Sequence, residues 1–298
     1  MNLEHLLPPV QEIAMLSSEE RINRLCSDYW IGYGGAEDAI KRLENLFLRP
    51  KRVRMPNLLI IGPTNNGKTM ILEKFRRQHL PYESENHDHK IIPVLLVQMP
   101  SDPTIQRFYS SIIRATGAPY INYVSTVRYE AIAITLLQNI QTKVLIIDEL
   151  HNILSGNTNK QREFLNILRF IGNQLQLSIV GSGTREAYLA IRSDDQLENR
   201  FEPLILPLWK DDPEFGRLLG SFQKVLPLRQ PSNLLDADIR TMILTRSEGT
   251  IGEISTLLIQ AACEAISSGK EYIDQAIIEQ TDYRSPTERR RKYESILY

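Results

Sequence analysis

The chain has 298 residues, 42% of them hydrophobic and 24% charged, with a formal net charge of −1. That composition supplies cores for about two domains and excludes a disordered chain, and the absence of any run of about 18 apolar residues speaks against a membrane-spanning helix. Near-neutral charge offers no global attraction to nucleic acid, so a DNA contact has to come from a local patch or an assembled surface.

Cys26 and Cys263 are lone and far apart, which suggests neither a disulfide framework nor a metal cluster. The opening MNLEHLLPPV lacks the basic, apolar and small-residue progression of a secretory leader, so a cytoplasmic location is expected. Residues 1–50 read as helical, with Ser17 or Ser18 as an N-cap ahead of EERINRL. In DYWIGYGGAEDAIKRLENLF, Ile40, Leu43 and Phe47 keep a helical period. The basic stretch LRPKRVRMP, residues 48–56, reads as a solvated linker.

Leu58 to Ile61 form an uninterrupted apolar run, the pattern of a strand buried on both faces of a parallel sheet. Gly62, Pro63, Thr64, Asn65, Asn66, Gly67, Lys68 and Thr69 then fit G-x-x-x-x-G-K-[ST], and a helix follows through Met70. Gly67 and the asparagines tolerate left-handed backbone, so the loop can turn its N–H groups around a phosphate at a helix N-terminus. Lys68 would reach the β- and γ-phosphates of ATP, and the Thr69 hydroxyl would ligate Mg²⁺. Just ahead of the preceding helix, Tyr29, Trp30 and Ile31 are candidates for an apolar wall against adenine, or for plain core.

Tyr82 to Lys90 reads as a loop and Ile91 to Val97 as a second strand. Helices are expected over 103–116 and 126–140, one more than a plain βαβ unit needs. The third strand, 143–148, ends in VLIIDE, and a carboxylate at the C-terminal edge of a parallel strand opens onto the ligand crevice of such sheets. Asp148 is therefore assigned to Mg²⁺ and Glu149 to the attacking water, whereas His151, a lone histidine, reads as a loop residue. A long helix is expected from Thr158, a fourth strand over 177–180 and a fifth over 204–206 between Pro203 and Pro207. Ser182 and Thr184, at the end of the fourth strand, are candidates to sense the γ-phosphate. Arg200, in ENRF, is the candidate arginine finger, with Arg192 and Arg185 in reserve. After Trp209 only helices are apparent, over 212–226, 236–247, 250–268 and 273–281, and the tail from Asp282 reads as loosely held.

GPTNNGKT, IIDELHNIL, GSGTREA, ENRF and the trailing helices together resemble an AAA+ ATPase of the TniB/TnsC type, a regulator of Mu-like and Tn7-like DNA transposition. The resemblance covers nearly the whole chain. It implies an α/β fold with a five-stranded parallel sheet between helices: a helical segment and linker at 1–50, a nucleotide-binding domain at 51–208, a helical lid at 209–281 and a basic tail at 282–298. It further implies ATP hydrolysis with Mg²⁺, expected to be slow because of the departure in the lid given below, and a ring or helical filament on double-stranded DNA. Implied partners are a transposase and a target-selection protein of the TniQ type, with no membrane. The extra helical element, residues 100–128, would face DNA, with Arg107, Arg114 and Arg128 as phosphate contacts. One position departs from the pattern, since Gly252 and Glu253 stand where many AAA+ lids carry an arginine. The alternatives are a protein-only switch ATPase of signalling or secretion and, further off, a small-molecule kinase.

Overall fold

A computed structural model describes residues 2–27, 30–86, 89–119, 125–156 and 158–297. The first helices are α1 (Pro8–Ala14), α2 (Ser18–Leu25) and α3 (Gly34–Phe47). Next come β1 (Asn57–Ile61), α4 (Lys68–Gln78), the two-residue strands β2 (Tyr82–Glu83) and β3 (Lys90–Ile91), β4 (Val94–Gln98), α5 (Ile105–Ala115) and α6 (Thr126–Asn139). Strand β5 (Val144–Asp148) leads through a 3-10 turn (Leu150–Ser155) to α7 (Thr158–Leu175), β6 (Ser178–Gly183), α8 (Arg185–Arg192), α9 (Asp195–Glu198) and β7 (Phe201–Ile205). Helices α10 (Pro213–Val225), α11 (Ala237–Ser247), α12 (Ile251–Ser267), α13 (Gln275–Gln280) and α14 (Pro286–Leu297) follow. Among the described residues no helix is long and apolar enough to cross a membrane.

The contacts divide the chain into two compact units, one of residues 38–64 and 68–207 and one of residues 1–37, 65–67 and 208–298. The first holds a sheet of order β4-β5-β6-β1-β7, all parallel. Every residue of β1, β5 and β6 is buried, as expected of strands covered on both faces. The chain leaves β1 for the far edge, returns through β5 to lay β6 beside β1, and then adds β7 on β1's other side. The C-terminal ends of β1 and β6 thus open where the connections diverge, the usual ligand crevice of such sheets. On the faces, Phe108, Tyr109, Ile112 and Ile113 give α5 one buried stripe, and Phe108 meets Phe164 of α7 edge-on at 5.9 Å.

Several strand boundaries differ from the sequence reading, among them the fourth strand, which runs on past Val180 to Gly183. The second strand begins at Val94 rather than Ile91, because Pro93 interrupts it and gives its carbonyl to the N–H groups of Lys143 and Val144. Lys90–Ile91 instead pairs antiparallel with Tyr82–Glu83, inside the stretch expected as loop. The fifth strand runs through Pro203, opposite Leu59. That proline is tolerated because β7 is an edge strand, where a missing N–H breaks no ladder on the open side.

In the second unit the α2 capping box is complete, with Ser17 accepting from the Glu20 N–H and Glu20 accepting from the Ser17 N–H. Its Leu25 joins a core made with Phe215, Leu218, Phe222, Leu257, Leu258 and Ile278. The fully buried Arg21 donates from both terminal nitrogens to Glu271, each at 2.7 Å, and to the Pro227 carbonyl at 3.1 Å. The tail, expected to be loosely held, is helix α14. Ser285 and Glu288 cap it reciprocally and Pro286 occupies its first turn, where a missing N–H costs nothing.

Candidate nucleotide-binding site

The loop after β1 is built as its sequence demands. Gly62 donates to the Gly183 carbonyl at 3.2 Å, tying the loop to the end of β6, while Asn65 (φ 59°) and Gly67 (φ 81°) take left-handed backbone. Lys68 opens α4, is only 6% exposed, and donates from Nζ to the carbonyls of Gly62 at 2.9 Å and Pro63 at 2.6 Å. Burial pushes its ammonium below the usual lysine range, and the charges of Glu149 and Asp148 oppose that shift. A phosphate in the loop would add its negative charge to that of these two carboxylates. The exposed Met70 lies in the first turn of the same helix.

Thr69 Oγ1 donates to Asp148 Oδ2 at 2.7 Å, so a hydroxyl and a buried carboxylate converge, a donor set of hard oxygens suited to Mg²⁺. The other Asp148 oxygen accepts from the Glu149 N–H at 2.9 Å. Glu149 has left-handed backbone (φ 54°, ψ 37°), a conformation that costs a non-glycine residue of order 1 kcal/mol or more and recurs at functional sites. Its carboxylate lies 3.2 Å from His151 Nε2, while His151 Nδ1 is buried with no partner. From sequence His151 reads as a loop residue; the structure places its ring against the carboxylate proposed to activate water. The spacing E-x-H on a tight 3-10 turn was the available signal.

The two sensor candidates separate. Ser182 lies inside β6, opposite Ile60, fully buried with its hydroxyl unpartnered, whereas the Thr184 hydroxyl is engaged by Glu186 on the first turn of α8. Of the two candidates Ser182 has the free hydroxyl, a state it shares with Ser178 farther back on the same strand.

The loop tip, residues 65–67, belongs to the second unit. Asn65 Nδ2 donates to Glu253 Oε1 at 3.1 Å, and the Gly252 N–H donates to the Asn65 carbonyl at 3.0 Å. A Cβ on Gly252 would fall 1.9 Å from Asn65 Oδ1, so a larger residue there would push the Asn65 side chain out of its present position. Glu253 also accepts from Tyr283 Oη at 2.7 Å and from Arg289 Nη2 of α14 at 2.5 Å. Burial, then the bond to Glu253, pushes the Tyr283 hydroxyl upward. An arginine therefore does stand beside position 253, delivered by the tail helix. Ile31 packs against the helical core with Tyr33 and Trp209; Trp30 is half-buried, and Tyr29 lies outside the described residues.

Arg200 lies at the opposite end of β1 from the loop. Its carbonyl accepts from the Asn57 N–H at 2.9 Å, and its guanidinium donates to Asn173 at 2.8 Å. It lines a cavity of about 520 Å³ with Arg49, Arg52, Arg54, Met55, Pro56, Gln196 and Asn199. Of the reserves, Arg192 is held by Glu198 and Arg185 is exposed. Arg107, Arg114 and Arg128 are all exposed on α5 and α6; Arg107 is paired with Asp102 at 2.9 Å, and residues 120–124 between these helices lie outside the described set.

The sheet order, with a phosphate loop after β1 and an acidic pair after β5, defines an AAA+ P-loop fold. Solved structures agree. The chain is similar to Aeropyrum pernix ORC2 in its ADPNP–ADP complexes, with 16% identity over 88% of this chain and 70% of that one, at a TM-score of 0.61. It is similar to A. pernix ORC1 in complex with DNA, with 17% identity over 91% and 68% and a TM-score of 0.59. It is also similar to Cdc6p from Pyrobaculum aerophilum, with 15% identity over 83% and 66% and a TM-score of 0.55. No curated protein matches in sequence. The model of the bacterial TniB protein matches residues 21–211, well over half of the chain, and the chain belongs to that family.

Proposed function

We propose that this protein is an ATP-hydrolysing regulator of DNA transposition that assembles on double-stranded DNA in its ATP state and links that DNA to a transposase and a TniQ-type target selector. The observation that carries the reading is the placement of two half-sites at opposite ends of one strand. The phosphate loop leaves the C-terminal end of β1, and Arg200 precedes β7 at the N-terminal end of β1. Four residue steps of about 3.3 Å put roughly 13 Å of strand between them, before the loop is added. Arg200 therefore serves the nucleotide of another copy, which makes assembly a condition of turnover.

Within one copy, Lys68 and the loop N–H groups hold the phosphates, and Glu149 orients the attacking water and draws on its proton, with His151 fixing the carboxylate. Thr69 and Asp148 would hold Mg²⁺, which would neutralise phosphate charge when bound. Family membership and the shared fold with a protein solved on DNA support the DNA reading. The exposed arginines of α5 and α6 supply the phosphate contacts, a few per copy, which suffice only when copies add up along one duplex.

Duplex binding by anisotropy, with ATP, a non-hydrolysable analogue, ADP or no nucleotide, tests the reading. Binding is expected with the first two, sigmoidal in protein and steeply weakened by salt. Replacing Arg107, Arg114 and Arg128 with glutamine should flatten the salt slope. Equal binding without nucleotide, or none at all, overturns it, and the latter outcome leaves a protein-only switch.

A further inference from the structure

Among the described residues two carboxylates are buried, Asp148 and Glu253, and each is bonded to the phosphate loop, the first through Thr69 and the second through Asn65. The charge of Asp148 would be offset by Mg²⁺. We propose that Arg289 of α14 offsets the charge of Glu253 and is thereby a positioning residue for ATP, keeping the loop tip fit to receive a polyanion. The inference rests on the loop binding a nucleoside triphosphate, and it brings the tail helix into that site.

The carboxylate stands where its charge matters. Glu253 Oε1 accepts from Asn65 Nδ2 at 3.1 Å and from Arg289 Nη2 at 2.5 Å, and Oε2 accepts from Tyr283 Oη at 2.7 Å. Of these three donors only Arg289 carries a charge. Glu253 is 7% exposed, so water screens it poorly. The backbone closes the same corner, since the Gly252 N–H donates to the Asn65 carbonyl at 3.0 Å and the Ile251 N–H to Asn66 Oδ1 at 3.3 Å. Glu253 is thus held one hydrogen bond from a loop whose N–H groups suit phosphate, and without a counter-charge it would oppose every anion brought there.

Helix α14 reaches this corner by charge and not by packing. From Thr287 to Ser295 every residue is exposed, so the helix adds nothing to the helical core along that length. Its start is held by polar bonds: the Ser285 and Glu288 cap, and the Thr287 N–H donating to Glu248 Oε1 at 2.8 Å. Just upstream, Arg246 donates to the carbonyls of Thr281 at 3.2 Å and Tyr283 at 2.7 Å, which fixes the segment that delivers α14. With those anchors in place, Arg289 sends a guanidinium from an exposed helix onto a buried acid.

Charge compensation and mere fastening of α14 predict opposite results in a double variant. The full chain is titrated calorimetrically with ATP and Mg²⁺, as the native protein and as Arg289→Gln, Arg289→Lys, Glu253→Gln and the Gln pair. Arg289→Gln should weaken ATP binding on the order of tenfold, and less at high salt. It should raise the KM for ATP with little change in kcat, because Arg289 touches no reacting atom. Adding Glu253→Gln removes the stranded charge and should return most of the affinity, while Arg289→Lys, which keeps the charge, should lose little. A double variant as weak as Arg289→Gln overturns the proposal and leaves Arg289 a fastener; so does Arg289→Lys binding no better than Arg289→Gln. Where Arg289→Gln loosens the fold, as its thermal midpoint would report, Glu253→Gln alone decides. With the acid gone and Arg289 kept, ATP should bind at least as tightly as to the native chain, and weaker binding refutes the charge argument. A native chain that takes up no ATP refutes the nucleotide reading itself, whereas native binding matched by every variant refutes only the role of Arg289.

Discussion

Arg200→Ala and Lys68→Ala disable opposite ends of β1, so they should complement each other. Arg200→Ala keeps the phosphate loop, Thr69 and Asp148, and should bind ATP normally. Its turnover should fall on the order of 10³-fold, the worth of an arginine finger. Lys68→Ala loses the donor that braces the Gly62 and Pro63 carbonyls and would meet phosphate, so it should neither hold nor turn over ATP. In a head-to-tail assembly each pocket faces one neighbour, and random equal mixing joins an intact loop to an intact Arg200 at about one interface in four. The mixture should therefore recover roughly a quarter of the wild-type rate per total chain, hundreds of times above either parent. Phosphate release would be followed across mixing ratios, with co-assembly established by pulling down one tagged variant. A co-assembled mixture that stays at the level of its parents, or an Arg200→Ala chain that hydrolyses normally, refutes the argument from opposite strand ends.

Glu149→Gln should retain ATP and lose most turnover, while His151→Ala should lower the rate with little change in binding; a wild-type rate for the first variant removes Glu149 from the chemistry. Lys68 lies below the usual lysine range in the free chain and would be raised by a bound phosphate. ATP affinity should accordingly be full below the free-chain pKa and decline as pH rises toward the higher value of the complex, with proton uptake on binding measured calorimetrically in buffers of different ionisation enthalpy; no uptake in that alkaline window contradicts it. Arg21→Met leaves the half-buried Glu271 with only Arg229, and should cost about 3 kcal/mol, the low end for breaking a buried pair, with Glu271→Gln in the same chain recovering part of it. Burial works against the Glu271 charge, but Arg21 and Arg229 outweigh it and hold the carboxyl below its ordinary value, so its stabilisation is present above the unfolded-state pKa and lost as pH falls through the folded one. Thermal unfolding read across acid pH should show that loss in the native chain and not in the double variant.

What sequence made legible was local. Gly62 to Thr69 between an apolar run and a helix, Asp148 at a strand end, and Ser17 ahead of EERINRL each carry their structural reason within a few residues. The α14 start was equally local, since Ser285-Pro286-Thr287-Glu288 is a capping box with proline in the first turn, yet the charge run that follows masked it. Pro203 misled for the opposite reason: whether a proline breaks a strand depends on which neighbour the strand lacks, and that is settled by the order of the sheet. Arg54 and Arg200 are joined by the β1–β7 pairing, which no local pattern encodes.

Glu253 gives that long-range economy a practical edge. One buried carboxylate takes donors from the phosphate loop (Asn65), from the turn before α14 (Tyr283) and from α14 itself (Arg289). Cutting the chain before Pro286 removes a guanidinium from that carboxylate and leaves its charge to Asn65 and Tyr283 alone, so a trimmed version would not report the native behaviour of the loop. The same holds for a fusion that prises α14 away. Helix α14 thereby shares a carboxylate with Asn65 at the loop tip, and a tag that displaces Arg289 would disturb the balance of donors on that carboxylate.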